Sequence, residues 1–219
     1  DSLSSAEMIC QIVAVQNDFG CRVTNLVSMG QGEPFQNYQA TLETLRFANA
    51  KDGLEIGARH ITVSTCGIIQ GIERLANEPE QFTLAVSLHS ALQDVRNEIM
   101  PRCSNIPLPH LKKTLQSYIE KTGRRVSFEY LLIKGITDTE ESLAALIDFC
   151  DGLLCHVNLL SVNEVEGSPY KPSSTATQQR WVKELRSAGK EATIRNSRGS
   201  DIDGACGQLR RRYVETEGE

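Results

Sequence analysis

The sequence lacks any run of about 18 apolar residues, the length that a membrane-spanning helix needs. Its first residues lack the basic start and the apolar core of a signal peptide. Its seven cysteines are odd in number and scattered, and no two of them have the Cys-x-x-Cys spacing. These absences argue against a membrane protein, a secreted protein and a disulfide framework, and we expect a cytoplasmic protein.

Neither basic nor acidic residues are in large excess among the 219 residues. The composition is 40% hydrophobic and 23% charged, which is ordinary for a globular protein, and the net charge is −5. This net charge argues against a uniformly basic nucleic-acid-binding protein. Residues 180–212, however, contain nine lysines and arginines against four acidic residues. This basic region could contact a polyanion locally, or it could be an ordinary solvated face.

Apolar segments rich in β-forming residues recur along the whole chain. They predict six strands, over residues 23–29, 61–64, 82–88, 126–133, 156–160 and 192–195. They read as continuous apolar runs, which are typical of strands buried in a parallel sheet. We predict the α/β class, with residues 1–219 forming a single partial (β/α)6 barrel whose helices lie outside the parallel sheet. A doubly wound sheet is the structural alternative.

Amphipathic segments lie between the predicted strands. They predict helices over residues 8–15, 38–48, 109–121, 140–149 and 175–188. Side chains that can cap a helix precede three of these segments, namely Asn37, Thr137 or Asp138, and Ser173 or Ser174. The chain opens in a helix, whereas a β/α fold more often begins with a strand. We therefore expect the sequence to lack the beginning of its domain.

The segment Gly30-Gln31-Gly32-Glu33-Pro34 follows the first predicted strand. Glycine lets the backbone approach a ligand closely, and Glu33 offers an acceptor for an ammonium group. The segment is not a dinucleotide-binding fingerprint, because the third glycine is missing and Pro34 is expected to block a helix start. A tight turn between strand and helix is the alternative interpretation.

Polar residues also follow three later strands, at the end where parallel β/α folds form their sites. Ser64 and Ser87 could donate hydrogen bonds to a carboxylate or accept them from a ribose hydroxyl. His89 could bind a ligand or act as a general base, and Asn163 could hold a hydroxyl or an adenine edge. Each of these residues also has a purely structural interpretation, as a capping or turn residue.

Cys206 lies between small residues in the segment 197–209, just after Asp201 and Asp203. A buried structural cysteine more often lies in an apolar run, whereas a large reactant could approach this thiol. Nearby Arg198 would favour its thiolate form. No histidine is adjacent, so a protease-type Cys-His pair is poorly supported. We expect residues 192–219 to form the last strand and a catalytic-cysteine loop.

Six short segments occur in an order that is specific to one family. They are residues 30–34, 61–65, 84–89, 128–130, 155–159 and 201–209. Over nearly its whole length the sequence resembles the radical S-adenosylmethionine (SAM) adenine-C2 methyltransferases of ribosomal and transfer RNA. The family's Cys-x-x-x-Cys-x-x-Cys motif and its N-terminal RNA-binding domain are absent. The resemblance therefore implies the C-terminal portion of such an enzyme.

The resemblance also implies roles for individual residues and two cofactors. The residues that would bind SAM are Gly32, Glu33, Ser64, Ser87, Leu88, His89 and Asn163. Cys206 would carry the methyl group as S-methylcysteine. The second cofactor would be a 4Fe-4S cluster with its ligands upstream of this sequence, so none of the 219 residues is assigned to a metal.

The partners implied by the resemblance are ribosomal RNA, transfer RNA or both, with an electron donor such as flavodoxin or ferredoxin, and the enzyme would be a monomer. Three alternatives stay open. One is the sister group that methylates C8 of adenine and shares most of these motifs. Another is a non-catalytic module that binds SAM or RNA. The third is a barrel lyase or hydrolase that uses Glu129 and His89.

Overall fold

A computed structural model describes residues 2–163 and 169–195 of the protein. Its six strands are β1 (Leu26–Ser28), β2 (Ile61–Thr65), β3 (Thr83–Ser87), β4 (Val126–Leu132), β5 (Cys155–Ser161) and β6 (Glu191–Arg195). Each strand pairs in parallel with the next one along the chain, so the order in the sheet is the order in the sequence. A doubly wound sheet would reverse its order at a switch point. The predicted α/β barrel arrangement is confirmed.

The helices are α1 (Ser5–Phe19), α2 (Tyr38–Asn49), α3 (Ile69–Leu75), α4 (Gln93–Ile99), α5 (Leu108–Thr122), α6 (Glu140–Cys150) and α7 (Thr175–Ser187). Five of them match predicted helices to within four residues at each end. The other two, α3 and α4, were not predicted, because seven residues are too few to establish a helical period. Within the described ranges, no helix has both the length and the apolar character needed to cross a membrane.

The predicted helix caps are only partly correct. Ser174 caps α7, because its hydroxyl accepts a hydrogen bond of 3.1 Å from a backbone N–H in the first turn. Thr139 caps α6 in the same way, also at 3.1 Å, so the prediction of Thr137 or Asp138 is wrong. Asn37 precedes α2 without a capping hydrogen bond, and its amide instead donates to a backbone carbonyl 2.7 Å away near the start of the chain.

One face of the sheet packs against helices and forms the hydrophobic core. Buried side chains on this face include Val63, Leu84, Val86, Phe128, Tyr130, Val157 and Leu159. The ring of Phe128 meets that of Phe149 in α6 edge-on at 5.6 Å, and the ring of Tyr130 lies 5.4 Å from that of Trp181 in α7. Burial alternates along β2 and along most of β5, so the prediction of uniformly buried apolar strands is wrong for them.

The sheet curves so that its two edge strands approach each other. The side chain of Arg195, at the end of β6, reaches to 3.8 Å from the sulfur of Met29, which directly follows β1. In a flat sheet, six strands spaced by about 4.8 Å would hold these edges about 24 Å apart, farther than two such side chains span. The face opposite the helices is therefore concave, as in a partial barrel. We call it the concave face.

Candidate cofactor site

A row of polar side chains crosses the concave face. Its members are neighbours in the register of β3 to β6, namely Ser87, Glu129, Asn158 and Thr193. The Asn158 amide donates a hydrogen bond of 2.8 Å to Glu129 Oε1 and accepts one of 3.0 Å from the Thr193 hydroxyl. Ser64 of β2 lies on the same face by its register with β3. The two predicted serines thus share a concave surface with a buried carboxylate.

Glu129 is only 4% exposed, and its two carboxylate oxygens differ. Oε1 accepts the hydrogen bond from Asn158, whereas Oε2 is buried and has no hydrogen-bond partner among the described residues. A guanidinium nitrogen of Arg195 lies 3.7 Å from Oε2, and that side chain is 53% exposed. Buried polar atoms are rarely left without a partner. Oε2 is therefore ion-paired with Arg195 but lacks a hydrogen-bond donor within the described part of the concave face.

Glu33 links the loop after β1 to the loop after β2. One carboxylate oxygen accepts a hydrogen bond from the backbone N–H of Phe35 at 3.0 Å, and the other accepts from the N–H of Cys66 at 2.8 Å. The prediction that Pro34 blocks a helix start is wrong. A 3-10 turn begins at Pro34 with Glu33 as its cap, since proline is tolerated in a first turn. A carboxylate has about four lone-pair sites, so Glu33 can still accept from a ligand.

Gly32 has a φ of 95°, a left-handed conformation that disfavours every residue with a Cβ. No other part of the protein lies within 4 Å of the position that a Cβ would take. The backbone before Glu33 is therefore open on that side, and glycine is required there by the turn itself.

The backbone at the end of β3 has an unusual conformation. The N–H groups of Leu88 and His89 both donate to the carbonyl of Glu129, each at 3.1 Å. His89 has a φ of 57°, which is uncommon for a residue other than glycine and often marks a functional site. Leu88 is completely buried as a whole residue, and its backbone N–H and carbonyl are both hydrogen-bonded within the protein, to Glu129 and to Arg96.

One nitrogen of the His89 imidazole has no hydrogen-bond partner among the described residues. This nitrogen is Nδ1, and it is buried. Burial lowers the pKa of His89 to about 4, and the positive charge of Arg96 adds to the effect. The ring is therefore neutral near pH 7. A buried ring nitrogen without a hydrogen-bond partner is a candidate for contact with a ligand.

Arg96, in α4, belongs to this region and was missed from the sequence. It is completely buried, and its guanidinium donates to three backbone carbonyls, those of Cys66 at 2.6 Å, Leu88 at 3.2 Å and Cys103 at 3.4 Å. An arginine in a short polar segment normally indicates an exposed position. No feature of the sequence distinguished this one.

The structure brings six of the eight predicted site residues to the same edge of the sheet, at the carboxyl ends of β1 to β3. They are Gly32, Glu33, Ser64, Ser87, Leu88 and His89. Asn163 is half-buried and lies two residues beyond β5, at the same end of the sheet. Cys206 lies outside the described residues. A cavity of about 450 Å³ lies at the opposite end, beside the start of β6, and is lined by none of the predicted residues.

Two thiols lie behind this edge, that of half-buried Cys66 and that of buried Cys103. The Cys66 thiol is hydrogen-bonded to that of Cys103, and this contact, together with burial, raises the pKa of Cys66. Cys66 therefore stays protonated near neutral pH. Over residues 2–163 and 169–195, no three His, Cys, Asp or Glu side chains are grouped so that they could hold a metal ion.

Comparison with known proteins shows what this chain is similar to. No family model matches the chain. The crystal structure of a radical SAM methyltransferase from Sphaerobacter thermophilus superimposes with a TM-score of 0.89 at 44% identity, covering 94% of this chain and 61% of that one. Over nearly its whole length the chain is thus similar to a radical SAM methyltransferase.

Curated proteins named as RNA methyltransferases are also similar to the chain. A probable dual-specificity RNA methyltransferase RlmN of Clostridium perfringens is 42% identical over 217 residues, which are 99% of this chain and 62% of that protein. The protein of the same name from Clostridium tetani is 45% identical over 213 residues, covering 97% of this chain and 61% of that protein. The chain thus spans about three-fifths of the length of the curated relatives that it matches.

Proposed function

We propose that the chain is the SAM-binding portion of an RNA methyltransferase that transfers a methyl group to C2 of adenine in ribosomal RNA, transfer RNA or both. The observation that carries the proposal is the meeting of Glu33, Ser64, Ser87 and His89 at one edge of the sheet. These residues lie far apart in the sequence, and the relatives at 42% to 45% identity are named as RNA methyltransferases.

The residues present at this edge fit SAM. SAM carries a positive sulfonium and an ammonium group, and the site offers two carboxylates, Glu33 and Glu129, beside a neutral histidine. Glu129 Oε2 and His89 Nδ1 are buried atoms without a hydrogen-bond partner among the described residues, which a ligand with hydroxyl or amino groups can satisfy. Glu33 would bind the ammonium group and Asn163 the adenosine part.

When bound, SAM supplies the methyl group and a 4Fe-4S cluster supplies the reducing electron. The cluster ligands would lie in the part of the relatives that precedes this chain. Cys206 would accept the methyl group on its sulfur and hold it close to the adenine. An aromatic carbon such as C2 is a poor nucleophile, which is why a thiol carrier and radical chemistry suit this reaction. Residues 192–219 would form the strand and loop that present this thiol.

The test of this function uses the full-length protein reconstituted with iron, sulfide, SAM and a reductant, and an adenine-containing RNA substrate. Cys206→Ala should abolish methyl transfer while leaving SAM binding within about twofold of the wild type, a change of less than about 0.5 kcal/mol. Cys10→Ala, which removes an exposed thiol of α1, is the matched control and should keep full activity.

NMR of the methylated nucleoside identifies the methylated carbon. A methyl group on C2 confirms the proposed position, and a methyl group on C8 assigns the protein to the sister reaction. Retained methylation by Cys206→Ala would exclude the carrier role. SAM binding without any methylation of either RNA class would favour a non-catalytic binding module.

A further inference from the structure

We propose that Arg96 is a positioning residue that fixes the carboxyl ends of β2 and β3 in the geometry that receives SAM. The inference rests on the proposed function, because SAM is the ligand in question. Arg96 itself lies behind the strand ends in α4 and is completely buried, so it acts on the ligand through the residues that it holds.

The three acceptors of Arg96 identify what it holds. The carbonyl of Cys66 directly follows β2, that of Leu88 directly follows β3, and that of Cys103 lies in the 3-10 turn after α4. A planar guanidinium presents its donors in fixed directions, so a bond to one carbonyl also orients the others. Charged donors bound to carbonyls in a buried setting make the strongest of the hydrogen bonds available there.

The carbonyls that Arg96 binds belong to the segments that carry the predicted ligand contacts. The N–H of Cys66 donates to Glu33, so Arg96 and Glu33 hold the same residue by its carbonyl and its amide. Leu88 precedes His89, whose left-handed φ of 57° needs support from its surroundings. One side chain therefore connects the loop that holds Glu33 with the strand end that presents His89.

The charge of Arg96 has a second effect. It disfavours protonation of His89 and so adds to the effect of burial on that ring. A neutral His89 avoids placing a second positive charge beside the sulfonium of SAM. On the other side of His89, the backbone carbonyl of Glu129 accepts its N–H, and the Glu129 side chain is a buried carboxylate. The hydrogen bonds of the planar Arg96 guanidinium and its positive charge thus contribute separately. Different substitutions can remove one or both of them.

The test compares two substitutions in the full chain. Arg96→Lys keeps a charge but loses the planar fork, and Arg96→Gln loses both. SAM affinity is measured by calorimetry, and the pKa of His89 by NMR of the ligand-free protein. His89→Gln identifies its signal among the four histidines. Arg102→Gln removes an exposed arginine of the adjoining turn and is the matched control.

We expect both Arg96 variants to bind SAM at least about tenfold more weakly, because charged hydrogen bonds to carbonyls are lost. The pKa of His89 should stay low in Arg96→Lys. It should rise in Arg96→Gln, though not to its ordinary value, because burial is the larger cause. Arg102→Gln should change neither quantity. If Arg96 had a purely structural role, the pKa of His89 would be the same in Arg96→Lys and in Arg96→Gln.

Wild-type affinity for SAM in Arg96→Lys, with an unchanged pKa of His89 in Arg96→Gln, would overturn the inference. If Arg96→Gln does not fold, the affinity of Arg96→Lys decides. If the wild-type protein itself does not bind SAM, the proposed function fails, and the pKa of His89 in Arg96→Gln still decides whether Arg96 sets the charge state of that ring.

Discussion

The helix face and the concave face of the sheet are built from the same strands and differ in almost every physical respect. In β4, Phe128 and Tyr130 point to the helices and are completely buried among apolar side chains. Glu129, between them, points to the concave face and bonds to Asn158. Side chains alternate between the faces of a strand, so a single strand packs against helices on one side and presents polar groups on the other.

The difference separates the residues that stabilise the fold from those that we propose to bind SAM. Packing on the helix face depends on volume and apolar area, which many aliphatic combinations can supply. The concave face depends on particular donors and acceptors, such as the carboxylate of Glu129 and its hydrogen-bond donor Asn158. Substitutions on the first face should therefore change stability more than binding, and those on the second should do the reverse.

The largest expected effect is on the helix face. Phe128→Ala should lower the free energy of unfolding by about 3–5 kcal/mol, because it leaves a cavity where the ring meets Phe149. Urea denaturation measures this loss. Phe47→Ala is the matched control, since Phe47 is 37% exposed on α2, and it should cost less than about 1 kcal/mol.

SAM affinity in Phe128→Ala should stay within about threefold of the wild type under conditions in which the variant is folded, a change of less than about 0.7 kcal/mol. A larger loss of affinity in the folded variant would show that the two faces are coupled, and the comparison between them would then fail.

A smaller effect on stability is expected at the centre of the concave face. Asn158→Ala removes the donor to Glu129 Oε1 and should cost about 1–3 kcal/mol, because a buried acceptor is left unsatisfied. It should also weaken SAM binding, since the carboxylate loses its fixed orientation. Asn49→Ala also removes a part-buried asparagine hydrogen bond, to the carbonyl of Ile56, and should leave binding unchanged. Equal binding losses in both variants would contradict the special role of the concave row.

Much of the fold was predictable from the sequence. All six strands and the five longer helices were predicted. Apolar β-forming runs, and helical periodicity sustained over ten or more residues, are strong local signals. The two seven-residue helices were not found, since so short a segment carries no period. The alternation in β2 was also missed, because Thr62 and Ser64 interrupt an otherwise apolar run without indicating which face is concave.

The candidate site was predictable through the ends of the strands and through the family resemblance. Glu33, Ser64, Ser87 and His89 could be chosen because they follow apolar runs, and the structure brings them to one edge. Their contacts depend on curvature and on register, which bring together residues far apart in sequence. Arg96 shows the limit, since its three carbonyl acceptors lie between seven and thirty residues away. Such long-range contacts leave no local pattern.

The smallest expected effect is at the open edge of the concave row. Thr193, in β6, is exposed, and its hydroxyl bonds to Asn158 at 3.0 Å and lies 2.9 Å from His156 Nε2. Thr193→Val keeps the shape of the side chain, and water can replace the lost bonds, so the cost should be below about 0.5 kcal/mol in urea denaturation. A loss comparable with that of Asn158→Ala would mean that the row acts as one buried network up to its edge. A near-zero loss would instead mean that, within this row, only the hydrogen bond between Glu129 and Asn158 contributes substantially to the free energy of unfolding.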